Sequence, residues 1–300
     1  MNGCYGVGMN QNDTKVLPDE NEWPREKSIR IILFADLRDS TDILLNFEKK
    51  MYKKKDGQSE SDFDYGEFIL DVHETSYREL YLNHNNTFAE IYGDGVMGVF
   101  PKDNTRYILE NLYRLSKRMR GYNDTLSDNP WRPKIDLGFG LTVGEVSFVY
   151  YPMDQRFHPV GNCIHEAARI EGVSKLYDAR ILVSHRFFNY AKVEINSDPR
   201  FSYRFIDRAK LKDFKESVTL YEILVDNDPR FETKKRSSAI YYEAYSKYRE
   251  KEWKAAREIF TAIYEEYGLG IGNVMAKRCD VLLASPPDYD WDGIWNFKQK

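Results

Sequence analysis

The sequence predicts an α+β fold, in which helices and strands alternate along most of the 300 residues. Short apolar runs that stop at polar or glycine residues indicate strands, and longer stretches with apolar residues at helical spacing indicate helices. Apolar residues make up 42% of the chain, enough for a substantial core. The net charge of −4 favours neither nucleic acid nor an anionic membrane as a partner.

The first half contains the clearest patterns. Ile31 to Ala35 is apolar and ends at a polar stretch, which is typical of a buried strand. Asp94 stands between two glycines and two apolar runs, which predicts a tight hairpin turn. Phe68 and Val72 recur at helical spacing. The predicted elements are a strand at 30–36, helices at 40–53 and 63–83, strands at 87–92 and 96–100, a helix at 105–122, and strands at 134–142 and 145–151 joined by Val143 and Gly144.

The second half continues the alternation and then becomes helical. Tyr241, Tyr245 and Tyr248 follow i, i+4, i+7 spacing, which indicates a helix with an aromatic face. Together with the next helix, this stretch resembles a tetratricopeptide unit, and one unit is too little for a solenoid, so we expect it to pack on the main domain. The predicted elements are a helix at 163–177, a strand at 181–183, a helix at 184–190, strands at 203–207 and 218–225, and helices from 237 and at 271–284.

Three segments follow from these patterns. Residues 1–28 mix glycine, asparagine and charged residues without periodicity, which predicts a loose N-terminal arm. Residues 29–226 form the predicted main domain, and residues 227–300 form a helical C-terminal extension. Three scattered cysteines argue against disulfides and a zinc site, and neither a signal sequence nor a membrane span is visible. We therefore expect a cytoplasmic protein.

Two aspartates stand where apolar strands stop. Asp36 follows the first strand, and Asp94 occupies the hairpin turn. Taken singly, they suit a helix cap and an Asp-Gly turn. If the strands are neighbours, the carboxylates meet at one edge of the sheet, where a hard all-oxygen site for Mg²⁺ or Mn²⁺ and a nucleoside triphosphate becomes possible.

From about Ser28 to Val225 the chain resembles the class III nucleotide cyclases, which implies a ferredoxin-like, palm-type domain. Among these enzymes it looks most like the pyrimidine (uridylate) cyclases of bacterial antiphage defence, the Pycsar systems. The resemblance implies a separate effector that senses the cyclic nucleotide. Its landmarks are the strand end at Asp36, the hairpin at 90–100, the segment 138–146, the helix at 160–171, and the terminal segments 211–214 and 220–222.

The resemblance implies roles for the metal-binding and phosphate-binding residues. Asp36 and Asp94 would bind two Mg²⁺ or Mn²⁺ ions, with the carbonyl of Leu37 completing one site. Arg169 would neutralise charge on the α-phosphate, and Lys212 would contact the terminal phosphates. In the family these two cations act on the metal site of the partner subunit, so a head-to-tail homodimer with two composite sites is implied.

The start of the helix after Asp36 offers phosphate-binding groups of its own. Backbone N–H groups from Arg38 through Ser40 to Thr41 open this helix and are expected to cradle phosphates.

Departures from the family concern the base and the ribose. Glu90 replaces the adenine-reading lysine and His158 the second adenine-reading residue, which disfavours ATP. A carboxylate accepts the N–H of uracil or guanine but meets a lone pair on cytosine. His158 and Tyr92 would narrow the pocket, which makes UTP the first choice and GTP the second. His165 replaces the ribose-orienting asparagine and is expected to donate to the ribose oxygen; if it does not, turnover is weak. The alternatives are therefore a guanylate or cytidylate cyclase for the base, or a weak nucleotide-binding signalling module.

Overall fold

A computed structural model describes residues 27–54, 64–81, 88–127 and 132–297. The N-terminal arm predicted for residues 1–28 lies, apart from its last two residues, outside this part. The strands of the described part are β1 (Ser28–Leu37), β2 (Phe88–Tyr92), β3 (Gly95–Pro101), β4 (Leu137–Tyr151), β5 (Arg156–Val160), β6 (Ile181–Ser184), β7 (Phe201–Lys210), β8 (Val218–Val225) and β9 (Trp295–Asn296). The helices are α1 (Ser40–Lys54), α2 (Tyr65–Tyr81), α3 (Thr105–Asp124), α4 (Asn162–Ser174), α5 (His185–Ser197), α6 (Phe231–Arg249), α7 (Trp253–Tyr267) and α8 (Gly270–Ala284).

The strands form one mixed sheet in the order β2-β3-β1-β4-β6-β8-β7-β9, with β5 paired to the far end of β4. β1 lies between β3 and β4 and is antiparallel to both, whereas β6 runs parallel to β4. Side chains alternate between the faces of β1 because the side-chain period of a strand is two. Ile31 and Leu33 join the core made with α2, α3 and α5, whereas Ile32 faces α4. The same alternation puts Asp36 on the α4 face.

The helix α4 approaches the sheet closely because β4 has glycines beneath it. A Cβ atom at Gly140 would lie 2.3 Å from the backbone oxygen of Ala167 and 2.3 Å from the backbone nitrogen of Glu171. A Cβ at Gly138 would meet the Glu171 carboxylate at 2.7 Å. Close packing therefore requires glycine at position 140, where the neighbours are backbone atoms of α4, whereas at Gly138 the contacting atoms belong to side chains.

Three features of the second half of the main domain differ from the sequence prediction. The strands at 134–142 and 145–151 are one strand, β4, which pairs with β1 through Val143 and Gly144 without a turn. Gly144 serves close packing instead, since a Cβ there would lie 2.5 Å from the Cβ of Cys163. The strand β5, which pairs with β4 from Ser147 onward, was not predicted at all. The helix predicted at 184–190 continues to Ser197.

The C-terminal extension packs on the sheet, as predicted. Helices α6 to α8 share a core with Ile170 of α4, Leu182 of β6 and Ile206 of β7. The chain then returns to the sheet, where β9 pairs in parallel with β7 and the amide of Phe297 donates to the carbonyl of Lys210 at 2.9 Å. The last described residues thus complete the edge of the sheet directly before the loop that contains Lys212.

Two buried charge clusters join the extension to the sheet. Glu222 of β8 accepts from Arg204 of β7 at 2.7 Å and from Lys234 of α6 at 2.6 Å, and these three side chains are each 1% exposed. Arg278 of α8 donates to Asp207 at 2.5 Å, and that carboxylate also accepts from the Tyr177 hydroxyl at 2.5 Å. Each buried charge therefore has a partner of opposite sign, as burial requires.

None of the described helices combines the length and the apolar character needed to cross a membrane.

Candidate active site

The structure brings the two predicted metal-binding aspartates to one edge of the sheet. Asp36 is the second-last residue of β1, and Asp94 lies in the turn between β2 and β3. A Cβ atom on Gly95 would lie 2.8 Å from Oδ1 of Asp36, so the turn rests against that carboxylate. Burial raises the pKa of the Tyr65 phenol, and the charges of Asp94 and Asp36 raise it further. The Tyr65 phenol on α2 therefore lies close enough to both carboxylates for their charges to affect its pKa.

The turn is supported from the same helix. Burial lowers the pKa of His73 on α2, and a hydrogen bond to the backbone of Gly93 and the charge of Asp94 oppose that shift. Gly93 has a φ of 61°, which glycine adopts without strain. Asp94 is therefore presented by a glycine turn that α2 holds from one side.

The donor set at this edge fits a divalent cation. Oδ2 of Asp94 is buried and accepts no hydrogen bond from any described residue, which leaves a negative atom in need of a positive partner. Leu37 ends β1 with its side chain buried, so only its backbone is available to a ligand there. In the described part of the chain, no group of three or more histidine, cysteine, aspartate or glutamate side chains could hold a metal ion. The two carboxylates would need oxygen from the backbone and from a substrate to complete the coordination of Mg²⁺ or Mn²⁺.

The phosphate-binding prediction needs one correction. The amide of Arg38 donates to the carbonyl of Asp136 at 2.8 Å, and its guanidinium donates to the carbonyl of Ala179 at 2.6 Å. Neither group of Arg38 is free for a phosphate, because both tie the end of β1 to the strand and loop beside it. Ser40 and Thr41 occupy the first turn of α1. Amides of a first helical turn have no partner within the helix and favour anions, so these two remain candidates.

The three predicted base-reading residues come together from two different hairpins. The hydroxyl of Tyr92 donates to Oε2 of Glu90 at 2.5 Å, and Nδ1 of His158 lies 3.9 Å from the same oxygen. Glu90 and Tyr92 share a face of β2, whereas His158 belongs to β5. Burial raises the pKa of the Tyr92 phenol, and the negative charge of Glu90 raises it further, so the hydroxyl remains a donor.

The predicted cationic residues lie beside an open groove of about 1420 Å³ between α4 and the loop that joins β7 and β8. His165 and Arg169 line it from α4, and Leu211 and Asp213 line it from the loop. Lys212 stands between these two loop residues, but its side chain is not part of the lining. The guanidinium of Arg169 donates to Oδ2 of Asp213 at 2.6 Å.

The carboxylates and the groove are separate in one chain. Neither Asp36 nor Asp94 is among the residues that line the groove around Arg169. Among the described residues, the candidate metal ligands are therefore not part of the groove that the candidate α-phosphate cation lines.

Four neighbours of these residues were missed by sequence reasoning. Tyr65 and His73 lie on a helix whose contact with the hairpin depends on tertiary packing, and no local motif marks them. Asp154 hydrogen-bonds His158 across a turn, and Asp213 pairs with Arg169. Recognition of the hairpin between β4 and β5 would have pointed to Asp154, since it places Asp154 in the turn directly before the strand that contains His158.

Comparison with known proteins identifies the fold. No family model matches the sequence. Over 137 residues, 44% of the chain, it is 27% identical to an adenylate cyclase of Anabaena cylindrica, and the match spans 26% of that relative. The structure of the adenylyl cyclase CyaB from P. aeruginosa matches 66% of this chain and 95% of its own length, with a TM-score of 0.51 and 16% identity.

A second solved structure agrees. A bacterial light-regulated adenylyl cyclase matches 67% of this chain and 53% of its own length, with a TM-score of 0.52 and 12% identity. At such low identity these likenesses concern the fold alone. They confirm the predicted α+β class, with the architecture of solved adenylyl cyclase domains.

Proposed function

We propose that this chain is a nucleotide cyclase, which converts a nucleoside triphosphate to a 3′,5′-cyclic mononucleotide and pyrophosphate. The observation that carries the proposal is the pair Asp36 and Asp94 at one sheet edge of a cyclase fold, with a buried Asp94 oxygen that has no hydrogen-bond partner among the described residues. A structural turn aspartate normally satisfies its buried oxygens, whereas a metal ligand keeps one for the cation.

In the proposed reaction the ribose 3′-oxygen attacks the α-phosphorus, the new P–O bond forms, and the bond to the β-phosphate oxygen breaks as pyrophosphate leaves. Two Mg²⁺ or Mn²⁺ ions bound by Asp36, Asp94 and the Leu37 carbonyl would supply acidification of the 3′-hydroxyl and neutralisation of phosphate charge. The first-turn amides of Ser40 and Thr41 would hold phosphate oxygens.

The other half of the chemistry belongs to the groove and to the loop beside it, which contains Lys212. Arg169 would bind the α-phosphate as negative charge develops there, and Lys212 would bind the leaving phosphates. His165, exposed on the same helix, would donate to the ribose. Because these residues and the carboxylates lie in different places within one chain, we propose a head-to-tail homodimer in which each site takes one half from each subunit.

For the base we propose uracil first and guanine second. Glu90 offers a carboxylate oxygen to a base N–H, and Tyr92 and His158 crowd the same place, which favours the smaller base. The resemblance to the Pycsar cyclases supports a further proposal, that the product is a second messenger of antiphage defence sensed by a separate effector.

The first experiment incubates the purified full chain with Mn²⁺ and each of ATP, CTP, GTP and UTP, and identifies products by chromatography and mass. Cyclic UMP is the expected product, and Asp36→Ala should abolish it. Asp290→Asn, which removes an exposed carboxylate in the loop before β9, is the matched control and should behave as wild type. If all four nucleotides are returned unchanged under these conditions, the cyclase proposal is wrong.

The dimer is tested by mixing inactive variants. Asp36→Ala and Arg169→Ala chains should each be inactive alone. A mixture should regain up to about a quarter of wild-type activity, since half the dimers are mixed and each mixed dimer has one intact site. No recovery on mixing, with both variants folded, would contradict composite sites.

A second candidate function is a nucleotide-binding module without turnover. The ion pair between Arg169 and Asp213 favours it, because it occupies the cation that catalysis would need. This alternative predicts no product in the first experiment, together with nucleotide binding in a separate equilibrium-binding measurement on the same chain.

A further inference from the structure

The turn that contains Lys212 has buried ends and an exposed tip. The amide of Phe214 donates to the carbonyl of Leu211 at 3.1 Å, which closes a four-residue turn with Lys212 and Asp213 at its tip. Leu211 is 2% exposed, and it packs with Phe214 in the core that the extension shares with the sheet. The φ of 69° at Asp213 suits the third position of such a turn. The position of Lys212 therefore depends on how firmly the two ends of the turn are held.

The strand that leads into this turn extends beyond its pairing with β8. The ladder between β7 and β8 ends at the pair Ala209 and Val218. Lys210, the next residue, pairs with Asn296 of β9, and its carbonyl accepts the amide of Phe297 at 2.9 Å. The last described residues of the chain thus hold the backbone of β7 two positions before the tip of the turn.

Residues 291–297, which we call the strap, are anchored on the extension before they reach the sheet. The ring of Trp291 lies edge-on to those of Tyr248 on α6 and Trp253 on α7, with the centroids 5.5 and 5.8 Å apart. The guanidinium of Arg249 donates to the carbonyl of Asp292 at 2.9 Å. The strap therefore starts from a fixed point on two helices of the extension.

The end of the strap lies against groups from both sides of the groove. The guanidinium of Arg278 on α8 lies 4.9 Å from the ring centroid of Trp295 and 5.2 Å from that of Phe297, distances at which a cation and an aromatic face attract each other. The ring of Phe297 also meets that of Tyr177 edge-on, with the centroids 6.0 Å apart. Tyr177 follows shortly after α4, the helix that contains Arg169. Phe297 is therefore in contact with the end of the α4 wall and, through its amide, with the strand that leads into the loop wall.

We propose that Phe297 is a positioning residue for Lys212, and that the strap fixes the turn so that this lysine meets the terminal phosphates of the substrate. The proposal rests on the proposed function for the role of Lys212. It adds a role in the reaction for a segment that lies outside the main domain. Without the Phe297 ring the strap loses its contacts with Arg278 and Tyr177, the hydrogen bond to the carbonyl of Lys210 weakens, and the tip of the turn is free to move.

Amide hydrogen exchange on the full chain without nucleotide tests whether the strap holds the turn. Phe297→Ala should accelerate exchange of the amides at 211–217 at least about tenfold, whereas peptides from β1 and β4 should exchange as in wild type and so report an intact fold. If those peptides change as well, Phe297→Leu, which keeps the apolar bulk, takes its place. Phe297→Tyr keeps the ring and should restore the wild-type rate. Asn296→Ala, which removes an exposed side chain from the same strand, is the matched control. Unchanged exchange at 211–217 would overturn the proposal.

Steady-state kinetics test whether the loosened turn acts through Lys212. KM and kcat are measured for the preferred triphosphate in Mn²⁺, for Phe297→Ala, Lys212→Ala and the double variant. We expect Phe297→Ala to raise KM about tenfold, as for the loss of one charged hydrogen bond. The double variant should lose no more than Lys212→Ala alone, because residues that act as a unit are not additive. Losses that add would show that Phe297 supports the fold without positioning Lys212, and would overturn the proposal.

A binding measurement distinguishes this proposal from the proposed function. If wild type makes no product, the cyclase proposal fails, and calorimetric titration of the full chain with inorganic triphosphate in Mn²⁺ decides the role of Phe297. Binding should weaken about tenfold in Phe297→Ala, and it should not weaken further when that change is added to Lys212→Ala. Equal affinity of wild type and Phe297→Ala for inorganic triphosphate refutes the role of Phe297.

Discussion

Removal of the Glu222 charge should destabilise the fold strongly. Glu222 accepts from Arg204 at 2.7 Å, from Lys234 at 2.6 Å and from the amide of Arg180 at 2.9 Å. In Glu222→Gln the side chain keeps its size, but two cations that are 1% exposed lose their counter-charge. Breaking a buried ion pair from one side costs about 3–5 kcal/mol, because the remaining charge stays desolvated.

The assay is denaturant unfolding at pH 7, followed by circular dichroism for the whole fold and by tryptophan fluorescence, to which the extension contributes three of the five tryptophans. A loss of about 3–5 kcal/mol corresponds to a fall of roughly 6–20 °C in the thermal midpoint for a chain of this size. The control is Glu232→Gln on α6, whose pair with Arg236 spans 3.9 Å and is largely exposed. Such a surface pair is worth about 0–1 kcal/mol.

The contribution of Glu222 to the free energy of unfolding depends on pH in a definite direction. Burial alone would raise the pKa of Glu222, but the charges of Arg204 and Lys234 lower it from 4.5 to about 2. The folded-state pKa lies below the unfolded value, so the contribution is complete above pH 4.5 and is lost as the pH falls toward 2. The stability difference between wild type and Glu222→Gln should therefore shrink across that interval.

A double substitution of Glu222 and Lys234 tests whether the unpaired buried cations cause the loss of stability. Glu222→Gln with Lys234→Met leaves one buried cation instead of two and should recover part of the loss. If Glu222→Gln loses no more stability than Glu232→Gln, the buried cluster makes no net contribution and the reasoning is refuted.

Three further perturbations test other contacts. Asp213→Gly removes the ion pair with Arg169 and relieves the strain of a non-glycine residue at a φ of 69°, so the free energy of unfolding should change by less than about 1 kcal/mol. Because Arg169 is then released, the initial rates of the proposed cyclase should rise. Slower turnover would show instead that Asp213 assists Arg169. Gly140→Ala should lose about 1–3 kcal/mol or more in denaturant unfolding, because the backbone of α4 must move, and an unchanged midpoint would contradict that packing. Arg278→Met leaves Asp207 buried without a counter-charge and should lower the thermal midpoint by more than Arg236→Met, an exposed control on α6.

Much of the fold could be predicted because its signals are local. The strand before Asp36 and the hairpin around Asp94 depend on short apolar runs and on two glycines, and the structure has both within about two residues of the prediction. The break predicted at Val143 and Gly144 was wrong because a glycine that permits close packing against Cys163 has the same local signature as a turn glycine.

The candidate site likewise contains some residues that the sequence alone could identify and others that it could not. The two aspartates could be singled out by position along the sequence, and their proximity in space follows from neighbouring strands. Asp154 and Asp213 could not, since each matters only through a partner, His158 or Arg169, that tertiary structure supplies. The predicted roles in metal binding, base selection and catalysis remain predictions.

The pairing of β9 with β7 has a consequence for synthesis of the protein. Residues 295–297 leave the ribosome after the other strands of the sheet, yet they bind the backbone of Ala209 and Lys210, next to the loop with Lys212. Until they arrive, the edge of β7 is uncovered and Arg278 lacks the ring of Trp295 beside it. A chain that lacks residues 295–297 would thus expose an unpaired strand edge beside the loop that contains Lys212.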